Sequence, residues 1–329
     1  MSSKLFGRSS REWNPLTLAL LTALWIATAA NWPLWRALFA LPENASGRGA
    51  LFVLGFAGLI AALTLLLLAF AAWRHTIKPV AALLLIPAAA GAHFMGTYGV
   101  VIDPTMMTNV LQTNPTETRD LLSLRLLASL LVLAALPIAW MWRLRLRRLG
   151  PLAQGGRNLA AMIGALALGA ALLFAIFADL SATMRNHKSL RYLINPHNSF
   201  YALGVLAHQA NAKPAGPPLP IGQDATLAAR PAGAKPPLVL LVIGETARAD
   251  HFSLNGYERA TNPQLAKLDV VSFRDVSSCG TNTAASVPCM VSHLGREAYV
   301  ARERDQENLL DLAWRAGLAV LWLDNQAGC

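Results

Sequence analysis

Five long apolar runs dominate the first 180 residues, and a different pattern replaces them beyond residue 237. The runs are Leu16–Leu41 (interrupted at Asn31-Trp32-Pro33), Ala50–Ala72, Val80–Ile102, Leu121–Trp142 and Asn158–Ala178. Each has about the 20 apolar residues that a bilayer-crossing helix requires. Together they predict a multi-pass α-helical membrane domain of five transmembrane helices over residues 1–180. The first run is long, lacks a small-x-small cleavage site and is followed by others, so it reads as an uncleaved anchor. Between the third and fourth runs, Met106, Met107, Val110 and Leu111 recur at helical spacing and predict a short interfacial helix. After the fifth, residues 181–210 read either as two surface-lying amphipathic helices broken at Asn195-Pro196 or as a plain juxtamembrane spacer.

Residues 211–237 are rich in Pro, Ala and Gly, which predicts an extended linker inside the intermediate region 181–236. From there short apolar runs alternate with amphipathic ones. Strands are predicted at Val239–Ile243, Val270–Val276 and Leu318–Leu323, and helices at Asn262–Leu268 and Glu307–Ala316. Strand–helix–strand order with polar residues at strand ends suits the parallel sheet of an α/β domain over residues 237–329.

Composition agrees with this division. The 329-residue chain is 54% hydrophobic and 14% charged, with a formal net charge of +10. Its cations are placed by loop. Lys4, Arg8 and Arg11 precede the first run, Arg74 and Lys78 lie near the second connection, and Arg143, Arg145, Arg147, Arg148 and Arg157 near the fourth. The alternate connections carry only Arg36 and Arg48, or Arg119. The positive-inside rule therefore predicts a cytoplasmic amino terminus and, after five crossings, an external α/β domain. Charge that sets topology is a poor argument for nucleic-acid binding, and none is expected. All three cysteines, Cys279, Cys289 and Cys329, fall in the external part, where disulfides persist. Pairing Cys279 with Cys289 would close a short loop around a hydroxyl-rich segment.

The candidate chemistry lies in two places. Glu245 follows the apolar run Leu238–Ile243, at a strand end where open α/β sheets bind ligands. It reads as a hard-oxygen metal ligand or as a salt-bridge partner of Arg248. Thr281 and Thr283 sit between Cys279 and Cys289. Either reads as a helix cap or as a nucleophile needing a base or metal to stabilise its alkoxide, and spacing does not choose between them. His251 and His293 have no metal-ligand spacing and read as packing residues, and Asp250 as a cap or loop residue.

The segments GETARADHFSLNGYERATNPQL, SSCGTNTAASVPCM and LWLDNQAGC resemble the bacterial phosphoethanolamine transferases that modify lipid A and lipopolysaccharide, members of the alkaline phosphatase/sulfatase superfamily. The five-run anchor and the outer segment MMTNVLQTNPTET extend the likeness over essentially the whole chain. The resemblance implies an α/β sulfatase-like (alkaline phosphatase-like) periplasmic domain carried by a bacterial inner-membrane protein. It implies Thr283 as nucleophile and zinc-bound hydroxyl, Glu245 as zinc ligand, Cys279 paired with Cys289, and Asn325 and Gln326 near the phosphoethanolamine pocket. The implied cofactor is Zn2+, the implied donor phosphatidylethanolamine, and the implied acceptor lipid A or the lipopolysaccharide core. The product carries an added amine, which lowers the negative charge that polycationic peptides seek. The family completes its zinc site with residues farther downstream. The sequence as given is therefore expected to be carboxy-terminally truncated, with an incomplete and inactive or poorly folded external domain. The alternatives are another phosphotransferase or a hydrolase of the superfamily, or an inactive membrane protein.

Overall fold

A computed structural model of the chain describes residues 12–212, 216–229, 231–233, 235–244, 247–280 and 283–323. It divides into two compact units, one of residues 1–104 and 119–204, the other of residues 105–118 and 205–329.

Five helical segments of the first unit are long and apolar enough to span a membrane: Pro15–Phe39, Gly47–Phe70, Ile77–Tyr98, Leu124–Arg143 and Pro151–Asn186. The first is α1 (Pro15–Thr28) followed after a 3-10 turn by α2 (Trp32–Phe39). Asn14 caps α1, its side chain accepting from the Leu16 amide at 3.0 Å, and Ser46 caps α3 (Gly47–Phe70) by accepting from Gly49. The third segment is α4 (Ile77–Tyr98), closed by Gly99 at φ 68°, where a side chain would be strained.

Two short helices, α5 (Pro104–Gln112) and α6 (Pro115–Leu121), stand where one interfacial helix was predicted, because Pro115 begins a new helix. The fourth segment comprises α7 (Leu124–Leu130), a π-helical turn at Leu131–Ala135 and α8 (Leu136–Arg143). Pro137 lacks the amide that would bond the Leu133 carbonyl. That carbonyl instead accepts the Trp25 indole N–H at 3.0 Å, fixing the fourth segment to α1. The fifth, α9, runs Pro151–Asn186 and begins seven residues before the apolar run, because its polar first turns remain helical.

Leu18, Ile26, Leu68, Ile77, Leu85 and Met141 form the centre of one buried cluster. Elsewhere α3 and α9 approach through glycines. A Cβ at Gly55 would lie 2.7 Å from Ile176 Cγ2, and one at Gly58 2.9 Å from Leu172 Cδ1. Small residues at such a crossing let the backbones come together in lipid. Gly55→Leu or Gly58→Leu is expected to cost about 1–3 kcal/mol by overpacking, read as a lower unfolding temperature of the protein in detergent.

The chain break at Asn31 is tied to the segment after α9 by a buried amide pair. Asn31 Nδ2 donates to the Ile26 and Asn195 carbonyls at 2.8 and 2.7 Å, and its Oδ1 accepts from the Asn195 amide at 2.8 Å. Asn195 Nδ2 donates to the Ala30 and Ala88 carbonyls. The segment from residue 188 is therefore no plain spacer. Its 3-10 turn Lys188–Leu193 buries Leu190 and Leu193, and a cis Asn195-Pro196 peptide leads into α10 (His197–Ala212). The half-buried His197 meets Thr64 Oγ1 through Nε2 at 2.9 Å, and desolvation holds it below its ordinary pKa. A histidine whose folded pKa is depressed contributes stability that is complete at neutral pH and falls as pH drops through the unfolded value of about 6.5. Unfolding temperature is expected to fall between about pH 7 and pH 5, with a shallower slope in His197→Gln.

Beyond residue 237 the described residues hold three short α-helices, α11 (Thr283–Met290), α12 (Arg296–Ala301) and α13 (Leu309–Arg315). The last realises the predicted 307–316 helix, started by a capping box between Asn308 and Asp311. The predicted 262–268 helix is reduced to a 3-10 turn, Leu265–Lys267. The three predicted strands form no ladder among the described residues, where only isolated bridges occur. Leu238–Val242 are 65–89% exposed. A parallel sheet needs neighbouring strands and helices over both faces, and helices of eight, six and seven residues cover little of either. The predicted linker is not free throughout. Leu219 donates to the Asp305 carbonyl and accepts from the Glu307 amide, both at 2.9 Å, and Arg315 bonds both the Glu307 carboxylate and the Ile221 carbonyl.

Candidate functional site

The segment from Ser278 to Met290 is built as a clamp on a short helix. Cys279 and Cys289 form a disulfide with their Cα atoms 6.3 Å apart, joining the chain before α11 to its last turn. Ser286, Val287 and Cys289 are buried and Val291 continues the buried face, so the helix is anchored from beneath. The Val291 carbonyl accepts from the Leu309 amide at 2.8 Å, which links the end of α11 to the start of α13. Gly280 leaves no space for a side chain, since a Cβ there would stand 2.5 Å from the Ala285 Cβ. Gly280 can thus lie against the first turn of α11, and Ser278 Oγ donates to the Gly280 carbonyl at 2.6 Å.

Thr283 is the first residue of α11 and is half-buried. The first amides of a helix have no intrahelical acceptor, and the helix dipole favours an anion beside them. A hydroxyl at this position sits at the positive end of the helix dipole. Thr281, the competing hydroxyl in the sequence, lies outside the described residues, as do Glu245, Asn325 and Gln326.

Close in sequence to Glu245, the exposed loop 248–262 is ordered by its own polar groups. The Asp250 carboxylate receives two hydrogen bonds from Arg248, at 3.0 and 2.7 Å, and faces His251 Nδ1 at 3.0 Å. Bonding to Arg248 first, and then to His251, holds Asp250 well below the ordinary carboxylate range. Arg248, for which Glu245 was one prospective partner, therefore pairs with Asp250. His251 also packs on Tyr257, ring centroids 4.7 Å apart, in keeping with a packing role. Thr261 Oγ1 closes the loop by donating to the His251 carbonyl at 2.7 Å and accepting from the Ser253 amide at 2.9 Å.

Zinc in a structural or catalytic site takes three or four protein donors. No group of three or more His, Cys, Asp or Glu side chains able to share a metal ion occurs among the described residues. Asp250 is already committed to two cationic or hydrogen-bonding neighbours. The described residues therefore do not assemble the expected zinc site. A cleft of about 660 Å3 adjoins the disulfide, but Phe252, Leu265, Val271, Phe273 and Met290 make its lining apolar, and Thr283 is not part of it. Arg296, Asn255, Ser272, Ser277 and Ser278 are the polar groups on that lining.

Residues 59–210 match the family model described as phosphoethanolamine transferase EptA/EptB, and residues 237–329 match the sulfatase model. The chain is 39% identical over 324 residues to phosphatidylethanolamine transferase Mcr-1 of Escherichia coli, covering 96% of this chain and 59% of that protein. The chain belongs to the phosphoethanolamine transferase family.

Other members agree. Phosphoethanolamine transferase EptA of Escherichia coli strain K12 is 37% identical over 96% of this chain and 58% of its own length. Among solved structures, the integral membrane protein lipooligosaccharide phosphoethanolamine transferase A (EptA) from Neisseria meningitidis matches with a TM-score of 0.80 at 27% identity, covering 95% of this chain and 59% of that one. The chain thus spans somewhat under two thirds of the length of these transferases. The match accounts for the two-part architecture, a five-helix membrane part followed by a sulfatase-like part, and makes the chain a multi-pass membrane protein of this family. Sequence reasoning anticipates the Cys279–Cys289 pair. It missed the close approach of Gly280 to Ala285, whose only trace in the sequence is a glycine directly after the cysteine.

Proposed function

We propose that the protein transfers phosphoethanolamine from phosphatidylethanolamine to lipid A or the lipopolysaccharide core, with Thr283 as nucleophile. The observation that carries this reading is the placement of Thr283 at the first position of α11, on a segment held by the Cys279–Cys289 disulfide. Membership of the family supplies the group transferred. In the first step Thr283 Oγ1 attacks the donor phosphorus. A P–O bond forms to threonine, the P–O bond to diacylglycerol breaks, and the threonine proton ends on the diacylglycerol oxygen. In the second step an acceptor oxygen displaces threonine, which takes back a proton. The positive end of the α11 dipole would stabilise the negative charge on the phosphoryl oxygens in both steps.

In this reading Glu245 and Thr283 would hold Zn2+ together with donors from outside the described residues, and Asn325 and Gln326 would contact the phosphoethanolamine group. A metal held there would supply the activation that a threonine hydroxyl needs to act as a nucleophile. The distribution of loop cations supports a cytoplasmic amino terminus and a periplasmic location for residues beyond the fifth helix of an inner-membrane protein. The division is then a membrane domain of residues 1–180, a connecting region of 181–236 and a catalytic region from 237. Both lipid substrates reach such a site from the outer leaflet.

The test is mass spectrometry of lipid A and core from cells making the protein. Glycolipid heavier by one phosphoethanolamine group is the expected result. A phosphoglycerol adduct would move the protein to another transferase of the superfamily, and unmodified glycolipid would contradict transfer.

A further inference from the structure

At the end of the helical unit where α1 begins, the loop after α3 and the start of α9 enclose a cleft of about 470 Å3. Arg74, His75, Arg147 and Arg148 line it. None of the three guanidinium groups is engaged in an ion pair or hydrogen bond among the described residues. The backbone beneath them is fixed, since Arg147 donates its amide to the Trp13 carbonyl at 2.9 Å and Trp13 donates to Arg145 at 2.8 Å. The amino terminus of the 36-residue helix α9 opens into the same cleft through Pro151, and its cap, Gly150, has no side chain to satisfy the first amides. Three arginines and a helix amino terminus together make a strong anion site.

A second, independent observation says more about the ligand. Gln154 lines the cleft and is only 3% exposed. Its Nε2 donates to the Ala72 carbonyl at 3.0 Å and to Asn158 Oδ1 at 2.8 Å. Both partners are acceptors, so the amide orientation is fixed by chemistry. Gln154 Oε1 is left buried without a partner among the described residues. A buried acceptor beside an anion site calls for a ligand that carries a hydrogen-bond donor next to its phosphate.

The surroundings favour a lipid as the source of that phosphate. Trp73, Trp140 and Trp142 are exposed near this end, as tryptophans are at a membrane interface. Leu152 is 94% exposed beside the cleft, and Leu159, Ile163 and Leu166 continue an exposed apolar face along α9 on which acyl chains can lie.

We propose that this cleft binds the headgroup of an anionic phospholipid bearing a hydroxyl, with phosphate on Arg74, Arg147 and Arg148 and the hydroxyl donating to Gln154 Oε1. None of the residues that line it belongs to the sulfatase-matched region 237–329, so it is separate from the transfer site proposed above.

The test is native mass spectrometry of the full chain released from phosphatidylcholine nanodiscs containing a minor share of phosphatidylglycerol. That lipid is chosen because the proposed transfer site takes an ethanolamine group. One phosphatidylglycerol should be retained, resist excess inorganic phosphate, and be held about tenfold more weakly after R147Q/R148Q or R74Q. Phosphatidylmethanol, with the same charge and no hydroxyl, should be held about fivefold more weakly than phosphatidylglycerol. Unchanged retention in the arginine variants overturns the proposal, as does displacement by inorganic phosphate or equal retention of phosphatidylmethanol. If the double variant does not fold, R74Q alone decides.

Discussion

Thr283→Ala is expected to abolish phosphoethanolamine transfer, lowering the rate by about a thousandfold or more. No other hydroxyl in the described part of the segment can replace it. Ser286 is buried on the inner face of α11, and Ser278 is held by Gly280 across the turn. The effect should fall on the chemical step, because alanine at the first position of a helix leaves its amides and the disulfide in place. Circular dichroism and unfolding temperature should therefore be unchanged while lipid A in cells making the variant loses the added mass. Thr283→Ser should retain part of the activity, since the primary hydroxyl occupies the same site. A variant with full transfer would remove Thr283 from the mechanism.

The second large effect is on the clamp. Replacing Cys279 and Cys289 by serine opens a loop with a sequence separation of 10 residues. The chain-entropy relation for a loop of this size assigns the crosslink about 3 kcal/mol. Cys289 is also buried, so serine there adds the cost of an ill-partnered hydroxyl. The first consequence is local: α11 is eight residues long and far below the length at which an isolated helix persists in water. Without the disulfide, Thr283 is no longer held at a helix start. Limited proteolysis between residues 275 and 295 should become fast in the double variant, and transfer should fall with it. Protection equal to that of the parent protein would show that the buried face alone holds the segment.

The membrane part was legible in the sequence because bilayer crossing leaves a long, low-charge signature that short-range detail cannot mask. Its edges were less so. Helix α9 begins at Pro151, ahead of its apolar run, because Gln154 and Asn158 remain helical to satisfy the Ala72 carbonyl at the end of α3. The exchange of hydrogen bonds between Asn31 and Asn195 joins residues 164 apart and has no local periodicity to betray it. The pairing of Trp25 with the carbonyl freed by Pro137 is equally long-range.

Beyond residue 237 the balance reverses. Apolar runs such as Leu238–Ile243 carry strand propensity, but a strand is defined by its neighbours, and propensity says nothing of whether they are present. The candidate segment was legible because two cysteines, Cys279 and Cys289, bracket a hydroxyl-rich stretch, whereas the choice of Thr283 over Thr281 rests on resemblance. The roles of Glu245, Asn325 and Gln326 rest on resemblance alone, because all three lie outside the described residues.

The most direct measurement is tandem mass spectrometry of the protein after exposure to phosphatidylethanolamine without an acceptor. The account predicts a peptide carrying one phosphoethanolamine group in ester linkage on Thr283, absent from Thr283→Ala and discharged when lipid A is added. Transfer to lipid A with Thr283 unmodified throughout would contradict it.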